Sequence, residues 1–243
     1  MTYSLPLLVG EVRPPNPQGT VSVRVDHQKT PLTWPVFNGV FKAVVPLLPG
    51  SNTIKLSYYQ ETKEIKLIYK VPKFKQFVRP VIIKCSDDDG RIQGPDDEDC
   101  SMESAQKRIS LGSLLLQTFT AEKLHEHGLG RKTFMLERDL DASAPECHVF
   151  TSRLTLAEAH AMTGGDLWMH FARELMSSKQ FSKREQCKWF AFMSFTRYQP
   201  LPEGSVPKSH SDVLRNTKGH TALGKDCLCT SNLFLFRVRV KSL

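Results

Sequence analysis

The stretch from Gln106 to Glu137, QKRISLGSLLLQTFTAEKLHEHGLGRKTFMLE, constrains the fold of this chain most, because it carries the strongest helical pattern in the sequence. On a helical projection Ile109, Leu111, Leu115, Leu116 and Phe119 gather on one side, and Ser110, Ser113, Gln117 and Thr120 lie opposite. The spacing predicts a core helix that turns its leucines inward. Leu114 and Leu124 widen the apolar surface and imply cover on more than one side. Ser101 or Ser104 is placed to cap the start, with Glu103 suited to the first turn. His125 and His127 fall in the last turn, and Gly128 or Gly130 supplies the left-handed residue that stops the helix. Lys132 to Glu137, with Thr133, Phe134 and Leu136, then reads as a strand.

Before this helix the pattern changes to period two. Val21, Val23 and Val25 alternate with Ser22 and Arg24, and extended runs over 32–37 and 40–47 flank Asn38-Gly39, the strongest hairpin signal present. Two further alternating runs follow the Pro49-Gly50-Ser51-Asn52 turn, one with Ile54, Leu56 and Tyr58, the other with Ile65, Leu67, Tyr69 and Val71. Five or more short strands without a helix predict an antiparallel β-sandwich over residues 1–73, with Trp34 and Phe41 in its core. An aromatic carbohydrate- or lipid-binding platform of Trp34, Tyr58, Tyr59 and Tyr69 is the alternative use of the same residues.

Residues 74–224 read as an α/β unit. Val78 to Cys85 is a buried strand running into the acidic loop Ser86-Asp87-Asp88-Asp89-Gly90. That loop fails the calcium pattern, since Ile92 stands where a glycine is needed. Beyond the central helix come a strand at Cys147–Phe150, helices over 154–162 and 166–176, and a strand over 186–198 that is apolar on both faces, as a central strand should be. Trp168, Phe171, Ala172 and Leu175 mark the packed face of the second helix. Residues 225–243 form a divergent tail with Cys227-x-Cys229 and an alternating end of basic and apolar residues.

With 243 residues, 40% hydrophobic and 24% charged, the chain has enough material for one large or two small globular domains. Its net charge of +8 is scattered, with no nucleic-acid module, so no nucleic-acid partner is expected. The start lacks the marks of a signal peptide or a membrane span, and six irregularly placed cysteines do not read as a disulfide scaffold. A cytoplasmic protein without a membrane partner is the expectation.

Three groups of residues together resemble a eukaryotic family of zinc metallopeptidases. The first is Trp34-Pro35-Val36 with Gly39, Phe41-Lys42-Ala43 and Leu48-Pro49-Gly50-x-Asn52. The second is Gln117-x-Phe119-Thr120-Ala121-Glu122 with Gly128-x-Gly130-Arg131-Lys132-Thr133-Phe134. The third is Gly219-His220-Thr221-Ala222-Leu223-Gly224. The resemblance implies an α+β multidomain chain, its β-sandwich followed by a zincin-like α/β domain, and zinc as the cofactor of full-length members. Trp34, Phe41, Lys42, Gln117, Phe119, Glu122, Gly130, Arg131, Phe134, Gly219, His220 and Gly224 carry the motifs, in structural rather than catalytic roles.

The family's zinc helix needs His-Glu-x-x-His, so that two imidazoles share one helix face with a glutamate beside them. None of the eight histidines, at 27, 125, 127, 148, 160, 170, 210 and 220, stands four residues from another. The sequence therefore predicts an incomplete peptidase-like domain, a truncated relative without catalytic or metal residues of its own that acts by binding a protein partner. The enzymatic alternative would take zinc on His125, His127 and His220. An incomplete core would also expose apolar surface.

Overall fold

A computed structural model describes residues 1–13, 19–72, 75–92 and 98–194, and the backbone of Leu233–Leu235. The chain divides into two compact units. Unit 1 comprises Met1–Phe74, Leu111–Met135 and Asp139–Ala142; unit 2 comprises Lys75–Ser110, Leu136–Arg138 and Ser143–Leu243. The class is mixed α+β.

Unit 1 contains β1 (Leu7–Glu11), β2 (Thr20–Val25), β3 (Leu32–Phe37), β4 (Val40–Val44), β5 (Gly50–Tyr58) and β6 (Glu61–Tyr69). Five of these match the alternating runs; β1 has too short a period to be seen in advance. Where two packed sheets were expected, hydrogen bonding runs unbroken through one antiparallel sheet in the order β1-β4-β3-β2-β5-β6. The ladder turns on β3, which pairs with β2 through Leu32–Pro35 and with β4 through Val36 and Phe37. A strand that changes partner halfway lets one sheet curl round its own core. That core is Val21, Val23, Val25, Val36, Phe41, Ala43, Val45, Leu47, Ile54 and Tyr69.

Local chemistry explains the turns. Asn38 and Gly39 both have positive φ, 51° and 76°, as a tight primed hairpin requires. Gly10 sits opposite Phe41, and a Cβ there would lie 2.4 Å from its ring, so only glycine admits the aromatic. Asn52 is buried and folds the 48–52 turn onto itself: its Nδ2 donates to the carbonyls of Leu48 and Gly50, and its Oδ1 accepts from the Leu48 amide.

Unit 2 holds β7 (Phe77–Lys84), β8 (His148–Thr151), β9 (Cys187–Met193) and β10 (Leu233–Leu235) in a parallel sheet ordered β10-β9-β7-β8. The central strands are those whose apolar residues face both ways, as the sequence predicts. α3 (Leu156–Ala161) starts with a Thr155–Glu158 capping box, and α4 (Gly164–Ser177) is capped by Thr163. On α4 the buried side chains are Leu167, Phe171, Ala172 and Leu175, with Leu167 in the place expected of Trp168. The expected strand at 132–137 is only a single bridge between Leu136 and Val78, because Glu137–Leu140 already winds into the short helix α2. The acidic loop is structural, with Asp87 accepting from the Leu156 amide and Asp88 from the Gly90 amide and the Ser194 hydroxyl. The 219–224 motif and both tail cysteines lie outside the described residues.

The long helix α1 (Met102–Glu126) ends as its glycines dictate. Gly128 takes φ 74°, its amide bonds to the carbonyl of His125, and the Leu129 amide bonds to that of Leu124. This is a Schellman closure. At the start, Ser101 accepts from the Ser104 amide. Its facing, however, reverses the expectation. Ser110, Ser113, Gln117 and Thr118 are buried beside Ala105, Ile109 and Ala121, while Leu111, Leu115, Leu116 and Phe119 are exposed. The helix covers its predicted span and Ile109 is buried as expected, but Leu111, Leu115, Leu116 and Phe119 face outward instead of inward. The physical reason is that the inward donors find acceptors: Ser110 donates to the Gln106 carbonyl, Thr118 to the carbonyls of Leu5 and Leu114, and Gln117 Nε2 to the Phe134 carbonyl and to Asp139.

The inversion sets an unusual order of sensitivity. Gln117→Leu should lower the unfolding free energy by about 1–3 kcal/mol because it strands its partners, whereas Leu115→Ser should change it by no more than about 0.5 kcal/mol. Urea midpoints of the two variants measure the difference, and the reverse ranking would refute the inward polar face.

Candidate functional site

The motif residues of the second group meet within unit 1. Gln117 Nε2 donates to the Phe134 carbonyl at 2.9 Å and to Asp139 Oδ2 at 2.8 Å, and Asp139 accepts from the Tyr69 hydroxyl at 3.3 Å. One turn further on, Glu122 accepts from Arg131 Nε at 2.8 Å and from Arg131 Nη2 at 3.3 Å, and from the Tyr3 hydroxyl at 3.2 Å. Gly128 and Gly130, both at positive φ, turn the chain so that Arg131 comes back on Glu122. These residues fasten α1 to the amino-terminal segment and to the 131–139 segment. The two tyrosines are locked as neutral hydroxyls. Burial first, and the neighbouring carboxylate second, push Tyr3 up to about 12 and raise Tyr69 further still.

Of the remaining motif positions, Phe41 is in the core, Trp34 packs half-buried against it, and Lys42 is exposed on β4 opposite Val9. Phe119 points outward, with Lys123 Nζ 5.7 Å from its ring centre. The aromatic platform does not assemble: Tyr69 is buried at one end of the β5–β6 ladder, and Tyr58 stands at the other, about 27 Å away at strand spacing. Gly219, His220 and Gly224 lie outside the described residues. His125 and His127 are exposed at the end of α1, and among the described residues no three His, Cys, Asp or Glu side chains come together to hold a metal.

Unit 2 contains a charged cluster that sequence reading missed. Arg79 projects from the middle of β7 with 1% exposure, ringed by Phe77, Phe181 and Trp189 at 5.1–5.3 Å from its guanidinium carbon. Its Nε donates to Glu137 Oε2 at 2.6 Å, its Nη2 to Glu137 Oε1, and its Nη2 also reaches the Ser182 carbonyl at 3.0 Å. His148 Nε2 lies 2.8 Å from Glu137 Oε2. Burial disfavours the carboxylate, but the hydrogen bonds and charges of Arg79 and His148 outweigh it and hold Glu137 down at about 2. An ionised Glu137 can only accept, so His148 carries its proton on Nε2 in this contact. An arginine inside a strand of apolar residues gave no periodic signal; its scarcity in a buried strand was the available hint.

The chemistry open to these groups follows from their shifts. Glu137 at about 2 is too weak a base to take a proton near neutrality. Burial keeps the thiols of Cys85, Cys147 and Cys187 protonated, each raised to about 12, which suits none of them for nucleophilic attack. The cluster acts as a neutralised internal fastener for β7, α2 and β8.

Glu137 makes stability depend on acidity. Its folded value lies below the ordinary 4.5, so its contribution is complete above about pH 4.5 and is lost as pH falls toward 2. The loss amounts to about 3 kcal/mol. Glu137→Gln should remove this part of the acid limb, seen as a smaller drop in unfolding free energy between pH 5 and about 2.5. Arg79→Met, which leaves Glu137 buried without its partner, should cost about 3–5 kcal/mol near pH 7.

A protein of Saccharomyces cerevisiae named as a putative zinc metalloproteinase is 30% identical over 159 residues, covering 58% of this chain and 23% of the relative. A Schizosaccharomyces pombe protein of the same description is 25% identical over 235 residues, covering 90% of this chain and 36% of that one. The chain thus matches about a third or less of the length of these relatives. Among solved structures, a carbohydrate acetylesterase from Xanthomonas citri overlaps 78% of this chain and 47% of its own at 12% identity, with a TM-score of 0.24 too low to bear on fold or chemistry. The model of a family described as a putative peptidase family matches residues 1–230, and the chain belongs to that family.

Proposed function

We propose that this chain is a non-catalytic interaction member of its peptidase family, recognising a protein partner without cleaving it. The observation that carries the reading is the rotation of α1. Its polar side chains are consumed in fastening the fold, and its large apolar side chains are presented to solvent, where a partner surface and not a substrate bond is the natural counterpart. Gln117, Glu122 and Arg131, the motif residues with chemical capacity, are committed to one another's neighbours.

A zincin-like origin for unit 2 is supported by its parallel β8-β7-β9-β10 order with helices between β7 and β8 and between β8 and β9. No helix among the described residues is long and apolar enough to cross a membrane. Among the described residues four cysteines are free, three of them buried, which suits a reducing compartment such as the cytoplasm.

The test is the metal content of the purified 243-residue chain together with peptide cleavage, assayed with zinc and with a chelator. Well under one zinc per chain, with cleavage at background in both conditions, is the expected outcome. One tightly held zinc per chain with chelator-sensitive cleavage would replace this proposal by a zinc centre using His125, His127 and His220.

A further inference from the structure

In unit 2, β8 is an edge strand: it pairs with β7 on one side, and among the described residues no strand lies on the other. The Ser152 amide donates to the Lys84 carbonyl, so His148, Phe150 and Ser152 turn their backbone groups toward β7, while Cys147, Val149 and Thr151 turn theirs to the open side. An open row of this kind is a template for another strand. Unit 1 guards its own edge strand β6 with charge, since Glu61, Lys63, Glu64 and Lys66 are all exposed. β8 reads HVFT, without lysine, glutamate or proline, and its Val149 and Phe150 are good strand formers. It needs a different guard.

We infer that two glutamines, Gln106 and Gln180, close this edge to strand addition, above all by the β8 edge of a second copy of the chain. Gln106 Nε2 donates to the Cys147 carbonyl at 2.7 Å, and Gln180 Nε2 donates to the Val149 carbonyl at 2.8 Å. These are alternate carbonyls on the open side, the acceptors that the amides of an incoming strand would use. A carboxamide satisfies such a carbonyl as a strand would, but it carries no backbone onward, so the sheet ends there. Both side chains are held from behind. Gln106 belongs to α1, and the turn that presents Gln180 is pinned at three points: the Gln180 amide donates to Ser178 Oγ at 3.1 Å, and Arg184 Nη1 donates to the carbonyls of Met176 at 2.6 Å and Ser178 at 2.8 Å. This guard is independent of whether the chain cleaves peptides.

Sedimentation equilibrium and amide hydrogen exchange of the full 243-residue chain test this over a range of concentrations, with Gln180→Ala and the double variant Gln106→Ala/Gln180→Ala beside the unchanged chain. The double variant should associate with itself at least about tenfold more tightly than the unchanged chain. As its concentration rises, the amides of Val149 and Thr151 should gain protection, because an added strand would bond to them. Gln180→Ala alone, a change at an exposed side chain, should show the same effect to a smaller degree and decides the matter if the double variant does not fold. Association no tighter than that of the unchanged chain overturns the inference. So does tighter association that leaves those two amides exchanging as before, since the glutamines would then be stabilising contacts and nothing more.

Discussion

The buried carboxamide of Gln117 is the interaction on which most of unit 1 depends. A polar side chain at 1% exposure is tolerable only with partners, and its two donor contacts, to the Phe134 carbonyl and to Asp139, fix both the rotation of α1 and the path of the segment that follows it. Once that rotation is set, Thr118 falls on the Leu5 carbonyl and Glu122 within reach of Tyr3 and Arg131. The leucines have no choice left but the outside. A single hydrogen-bonding requirement thus overrides the burial preference of four large apolar residues.

Unit 2 uses the same device in ionic form. Arg79 and Glu137 neutralise each other within hydrogen-bonding distance, His148 completes the carboxylate's set of donors, and aromatic rings close round the guanidinium. Such a pair is a poor source of net stability compared with apolar packing, but it is intolerant of partial loss. Its value lies in specifying which segment docks on β7, since no apolar residue could replace Glu137 there without leaving Arg79 uncompensated.

What was legible in the sequence follows from what is local. Strand alternation in 20–69, the Asn38-Gly39 turn, the caps of α1 and the apolar run of β9 all depend on near neighbours in the chain, and all stand in the structure. The facing of α1 was not legible, because Gln117 meets Phe134 and Asp139, 17 and 22 residues on, and no helical projection contains them. Arg79 and Glu137, 58 residues apart, escaped for the same reason. The expected strand at 132–137 failed because its apolar residues serve a crossing segment with one bridge instead of a ladder. Of the motif residues, Gln117, Glu122 and Arg131 are joined by hydrogen bonds within unit 1, and none of the motif residues belongs to the ionic cluster in unit 2.

Three buried cysteines among the described residues of unit 2 have a consequence for how this protein ages and can be watched. Cys85 follows β7, Cys147 precedes β8 and Cys187 opens β9, so one sheet carries a thiol at an end of each of three adjacent strands. Shielded and held as thiols, they are protected from peroxide and alkylating reagents as long as the sheet is closed, while the half-buried Cys100 reacts regardless. The rate at which the slow three are modified is therefore the opening rate or opening equilibrium of the sheet itself, written into the chain as its own chemical clock.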